Sequence, residues 1–137
     1  PMKTILFVCV ENSCRSQIAE GLANRIGKGV CAVYSAGSRP SGKVSPDAIR
    51  VMAEDGIDIS AARSKGFEDL PLEKFDIAIT LGCKDTCPLV LAGDHRSWFI
   101  EDPKGKSIAF FRRTRDHIKE NIWSIVRELS ESENFID

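Results

Sequence analysis

The segment Ile5-Leu6-Phe7-Val8-Cys9-Val10 constrains this chain more than any other. A short, unbroken apolar run rich in β-branched residues fits a strand buried on both faces, and such strands belong to parallel sheets covered by helices. After the polar stretch Glu11 to Ser16, apolar residues recur at Ile18, Ala19, Leu22, Ala23 and Ile26, the stripe of a helix that ends at Gly27 and Gly29. Val30 to Ser35 reads as a second strand, closed by Ser35-Ala36-Gly37. Ser45-Pro46-Asp47 opens a helix running to about Asp55, with Pro46 at the first helical position, where a missing N–H costs nothing. Phe75 to Leu81 supplies a third strand that stops at Gly82, and Ser97 to Ile100 is the candidate for a fourth. From Ser107 onward Ile108, Phe111, Ile118, Ile122, Ile125, Val126 and Leu129 trace one face of a long terminal helix. The alternation predicts an α/β fold, an open parallel sheet with helices on both faces. Such sheets bind ligands beyond the C-terminal ends of their strands, so the segments after strands one and three are expected on the same edge.

A length of 137 residues carries one sizeable core and hardly two, so a single domain over 1–137 is expected, ordered from about 3 to 129, with 130–137 a polar, frayed tail. Pro1-Met2-Lys3 leads straight into the first strand, without the basic, apolar and small-residue parts of a signal peptide. Met2 reads as the natural start, and a cytoplasmic location is expected. No window approaches the length of a membrane span. A net charge of -1 gives no electrostatic case for nucleic acid or anionic lipid as a partner, so any anion must be bound locally. A monomer is expected.

Five cysteines, at 9, 14, 31, 83 and 87, are an odd number for a disulfide-stapled secreted domain. In a reducing compartment they are catalytic or buried. Zinc is disfavoured, because Cys83-x3-Cys87 lacks a second pair and His95 and His117 fall at no ligand spacing, so no metal site is expected. Alone, Cys9 would read as a small apolar residue ending a buried strand. Its surroundings argue otherwise.

Cys9-Val10-Glu11-Asn12-Ser13-Cys14-Arg15-Ser16 sits between a strand and a helix. A loop entering a helix N-terminus can turn successive N–H groups toward a tetrahedral anion, where the positive end of the helix dipole adds to them. Arg15 supplies a planar fork for two oxyanion oxygens. The same field favours a thiolate at Cys9, the form that attacks, and Ser16 is placed to donate a hydrogen bond to its sulfur. Cys14 and Cys31 are read as buried. Asp102-Pro103, otherwise a common turn, offers a proton donor for an oxygen leaving a tetrahedral centre. Cys83 and Cys87 read either as two buried loop thiols or as redox partners. Their polar neighbours Lys84, Asp85 and Thr86 favour the second.

These residues, with Gln17-Ile18-Ala19-Glu20-Gly21, Ser35-Ala36-Gly37, Thr80-Leu81-Gly82-Cys83, Cys87-Pro88 and Asp102-Pro103, resemble the low-molecular-weight tyrosine phosphatase fold and its thioredoxin-coupled arsenate reductase branch, from about Lys3 to Leu129. The resemblance implies a three-layer, four-stranded parallel sheet in order 2-1-3-4. It implies Cys9 as nucleophile, Arg15 as oxyanion clamp, Asp102 as general acid, and an oxyanion loop of Val10, Glu11, Asn12, Ser13, Cys14, Arg15 and Ser16. It further implies that Cys83 attacks Cys9 and Cys87 attacks Cys83, leaving a Cys83–Cys87 disulfide for thioredoxin or another thiol reductant, with no cofactor. One helical turn brings residues four apart to about 6 Å between Cα atoms, inside the disulfide range.

Three departures from the family pattern stand out. Only three residues separate Cys83 from Cys87, fewer than in the reductases. Glu11 occupies a position usually held by glycine, where a carboxylate repels an anion unless it points outward. Some relatives hold potassium behind the loop through residues matching Asn12 and Ser35 and through hydroxyl and acidic positions where this chain has Arg63 and Lys65. Two cations there predict no potassium requirement; either Arg63 or Lys65 takes the place of the metal's charge, or both are ordinary surface basic residues. Arsenate reduction is the leading expectation. A phosphomonoester phosphatase, using Cys9 and Asp102 but neither Cys83 nor Cys87, is second, and Lys104-Gly105-Lys106 lacks the aromatic residue that would flank a substrate ring. A non-enzymatic redox or oxyanion sensor is third.

Overall fold

The computed structural model describes residues 2–82 and 91–136. Its elements run β1 (Lys3–Cys9), α1 (Arg15–Ile26), β2 (Cys31–Gly37), α2 (Pro46–Glu54), a 3-10 turn (Phe67–Asp69), β3 (Lys74–Leu81), β4 (Leu91–Trp98) and α3 (Ile108–Ile136). The strands form one sheet in the order β2-β1-β3-β4, and every pairing is parallel. The chain steps to one side of β1 for β2 and to the other for β3 and β4, so the strand order reverses at the β1–β3 seam. Val8 pairs with Thr80 there, which brings the ends of β1 and β3 to the same edge.

Alternation along β1 sends Ile5, Phe7 and Cys9 into one core and Leu6 and Val8 into another. The larger core lies under the α-helices: Ile18 and Leu22 of α1, Val51 and Met52 of α2, and Ile118, Ile122 and Ile125 of α3 pack on Ile5, Phe7, Ile77 and Ile79. On the opposite face Leu6, Val8, Ala36 and Phe75 are covered by Phe67 and Leu70, on and beside the 3-10 turn. Ser45 caps α2 by accepting from the Ala48 N–H at 3.3 Å, and Pro46 follows at the first helical position.

Two segments differ from expectation. The fourth strand is Leu91–Trp98, earlier than Ser97 to Ile100. It is an edge strand in which half-buried positions alternate with exposed ones, and its half-buried Arg96 is neutralised by Asp94 at 2.8 Å and by Glu128 of α3 at 2.6 Å. An ion pair therefore occupies positions where an apolar pattern would be sought. The helix α3 runs for 29 residues to Ile136, with neither glycine nor proline in it, so it includes the segment 130–136 expected as a polar tail. Among the described side chains, the last one buried in the core is Leu129.

Candidate active site

Residues 9–15 connect the end of β1 to the start of α1 at the seam where the strand order reverses. The neighbouring segment 38–45 draws the loop carbonyls outward. Ser38 N–H donates to the Cys9 carbonyl, Arg39 to Val10, Ser41 to Glu11 and Ser45 to Ser13, at 2.8 to 3.3 Å. In a trans peptide the N–H points opposite to the C=O, so these bonds turn the intervening N–H groups the other way, toward the cavity. Gly37 permits this close approach, since a Cβ there would lie 2.5 Å from the Val10 oxygen and 2.8 Å from the Asn12 nitrogen. Cys14 precedes α1 without making a side-chain cap, so its own side chain does not take the N–H groups of the first turn.

Asn12 sits in the left-handed region at φ 51°, a conformation asparagine tolerates better than most residues. Its carboxamide is fully engaged. Nδ2 donates to Ser16 Oγ at 2.7 Å and Ser35 Oγ at 3.0 Å, while Oδ1 accepts from Gln17 Nε2 and the Lys65 N–H, both at 2.9 Å. Ser16 Oγ, already accepting from Asn12, lies 2.8 Å from Cys9 Sγ, so its own proton is free to serve that sulfur. Ser35 passes its proton to Glu20 at 3.0 Å and accepts from Lys65 Nζ at 3.2 Å. Lys65 Nζ also stands 3.5 Å from Glu20 Oε1. Of the two cations expected behind the loop, Lys65 brings its ammonium group there. Arg63 contributes its backbone carbonyl, which accepts from Gln17 at 2.8 Å.

In front of the loop lies a cavity of about 190 Å³ lined by Cys9, Val10, Glu11, Ser13, Cys14, Arg15, Asp102 and Lys104. Asn12 and Ser16 stand behind it as supports. Arg15, 7% exposed, is anchored by Nη1 to the Ile100 carbonyl at 3.0 Å and faces Asp102 Oδ2 at 3.6 Å with Nη2. Asp102 is half-exposed, and its Oδ1 accepts from the Lys104 N–H at 3.1 Å, which fixes the turn that carries both side chains. Glu11 turns its carboxylate to the Lys104 ammonium, with both oxygens within 2.9 Å. That hydrogen bond holds Lys104 above the usual lysine range. Cys14 and Cys31 are buried free thiols, and burial pushes both up, which keeps them protonated at neutral pH. Among the described residues, no group of three His, Cys, Asp or Glu side chains could hold a metal ion, and no helix is long and apolar enough to cross a membrane. Cys83 and Cys87 lie outside the described residues, which resume at Leu91.

The loop, its arginine and the position at a strand-order reversal define a class: α/β proteins that hold a tetrahedral oxyanion over a cysteine between a strand and a helix N-terminus. The chain belongs to the low molecular weight phosphotyrosine protein phosphatase family, which it matches over residues 4–134. Within that family it is 41% identical over 132 residues to the glutaredoxin arsenate reductase of Synechocystis sp., covering 94% of this chain and 100% of that protein. A solved arsenate reductase in the phosphate binding state superposes with a TM-score of 0.85 at 40% identity, over 93% of this chain and 99% of that one. The thioredoxin-dependent arsenate reductase of Corynebacterium glutamicum is 30% identical with a TM-score of 0.76, covering 96% of this chain and 64% of that one.

Proposed function

We propose that this protein is an arsenate reductase in which Cys9, Cys83 and Cys87 act in sequence, with thioredoxin as the final reductant. The observation that carries the reading is the position of Cys9, beside an anion-sized cavity that Arg15 and Asp102 also line. The arsenate reductases among its relatives and structural neighbours support it.

Arsenate enters as a dianion and is held by loop N–H groups and the Arg15 fork. The Cys9 thiolate attacks arsenic, and Asp102 gives its proton to a departing oxygen, which leaves as water. The Cys83 thiolate then attacks Cys9 Sγ. The sulfur–sulfur bond forms, the electron pair of the arsenic–sulfur bond passes to arsenic, and arsenic(V) leaves as arsenic(III) in arsenite. Cys87 attacks Cys83, freeing Cys9 as a thiolate and leaving a Cys83–Cys87 disulfide. A dithiol protein reduces that bond. Glutaredoxin is the second reading for this step, favoured by the Synechocystis relative that carries its name.

The charge behind the loop is Lys65 against Glu20, which supports a relay that needs no potassium; the reading also takes the protein as a cytoplasmic monomer that uses no cofactor. The test is arsenate-dependent NADPH oxidation with thioredoxin and its reductase, run in parallel with glutaredoxin and glutathione, in sodium and in potassium buffers. Turnover with a protein dithiol, equal in the two buffers, is the expected result. Hydrolysis of p-nitrophenyl phosphate with no arsenite from either system would return the protein to phosphatase chemistry.

A further inference from the structure

Beside the oxyanion cavity lies a second cavity of about 300 Å³ with a mixed lining, apolar at Val44, Pro46 and Phe111 and polar at Ser41, Lys43 and Asp47. Glu11, Ser13, Cys14 and Lys104 line both. Glu11 and Lys104 come from different loops and meet in a two-oxygen ion pair, 2.8 and 2.9 Å, so they form a partition at the boundary of the two spaces. We propose that the Glu11–Lys104 pair is a specificity device: it favours free tetrahedral oxyanions by disfavouring an organic substituent that would reach the neighbouring cavity and its Val44, Pro46 and Phe111 wall.

The inference rests on the reductase reading and names what limits its substrate. Asp102 and Lys104 share one turn, the Lys104 N–H donating to Asp102 Oδ1. A substituent that extends from the oxyanion site on the Lys104 side of Asp102, rather than toward the cavity that Asp102 lines with Phe99 and His117, must therefore pass Lys104 and its partner. An arsenate or phosphate presents only a hydroxyl there, which either charged group can hydrogen-bond. An aryl or alkyl group would have to part the two charges, or strip water from them, without offering a hydrogen bond in return. An exposed ion pair is itself worth little to folding, so the pair can be removed without loss of the fold. Its cancelling charges also explain how a carboxylate is tolerated two residues from Cys9: Lys104 neutralises it beside the anion.

Phenylphosphonate and inorganic phosphate separate the two demands, because both offer the same anionic head and only one carries a ring. Binding of each is measured by calorimetry to the reduced wild-type protein, to the charge-free double variant Glu11→Gln with Lys104→Met, and to Lys104→Arg, which keeps the pair. The ratio of the two dissociation constants is the readout. The double variant improves phenylphosphonate relative to phosphate by about tenfold or more, while Lys104→Arg stays within about threefold of wild type. A ratio in the double variant within about threefold of wild type, or an equal shift in Lys104→Arg, overturns the proposal. Neither ligand is reduced, so the result is independent of whether arsenite is made. Failure of arsenate reduction with this ratio intact would sink the reductase reading alone.

Discussion

At the scale of single residues, the site is organised around one sulfur and the groups behind it. Ser16 can aim its proton at Cys9 because Asn12 already donates to its oxygen, and Asn12 is held by Gln17, Ser35 and Lys65. Arg15 has a comparable dependence on Gly82. That glycine has φ +76°, and a Cβ there would lie 2.5 Å from Arg15 Nη1 and 2.8 Å from the Ile100 oxygen. Gly82→Ala is expected to cost about 1–3 kcal/mol of stability, read as a fall in the denaturation midpoint. Because the guanidinium must give way, phosphate affinity falls with it, by about tenfold or more in calorimetry. Wild-type affinity in that variant would show that Arg15 is not held by this contact. The loop that brings Cys9 and Arg15 to one cavity was legible in the sequence because strand, loop and helix follow one another there without interruption. Lys104 was not, since its partner Glu11 is 93 residues away and only the fold brings them together. Lys65 and Arg63 were indistinguishable for the same reason: the pattern placed two cations behind the loop, and packing chose between them.

At the scale of elements, apolar periodicity located β1, α1, α2 and β3 to within a residue or two of their observed bounds, because each buries a face that repeats at the period of its structure. β4 escaped because an Asp94–Arg96–Glu128 ion-pair cluster stands in its half-buried row. The helical run over 130–136 was not read from its polar composition, although the absence of any breaker lets α3 continue there. Charge also joins α2 to α3. Glu54 accepts from Arg112 at 2.8 Å and from Arg115 at 2.9 Å, and Asp55 pairs with Lys119. The hydrogen bond from Arg112, helped by Arg115, lowers the Glu54 carboxyl from 4.5 to about 2. A carboxyl depressed on folding contributes stability that is fully present above its unfolded value and is lost as pH falls through its folded value. The melting temperature of Glu54→Gln should therefore lie below that of wild type at pH 5 and above, with the gap closing as pH falls from about 4.5 toward about 2. A gap that stays constant across this range would remove the charge-based account of the α2–α3 tie.

At the scale of the whole molecule, a four-stranded parallel sheet brings the β1 loop, the end of β3 and the Asp102 turn to one edge. Gly82 closes that edge against Arg15, and Cys83 is the next residue in the chain. The proposed relay follows from this order, because a thiol that resolves the Cys9 adduct has to come from a segment leaving the same edge. The two hypotheses for the family's chemistry diverge at that thiol, since hydrolysis needs only Cys9, Arg15 and Asp102. The most direct measurement is single-turnover arsenite formation by the fully reduced protein, with the disulfide mapped by mass spectrometry in wild type, Cys83→Ala and Cys87→Ser. The account predicts no stoichiometric arsenite from Cys83→Ala and a trapped Cys9–Cys83 disulfide in Cys87→Ser. Arsenite released by Cys83→Ala at the wild-type rate would contradict it.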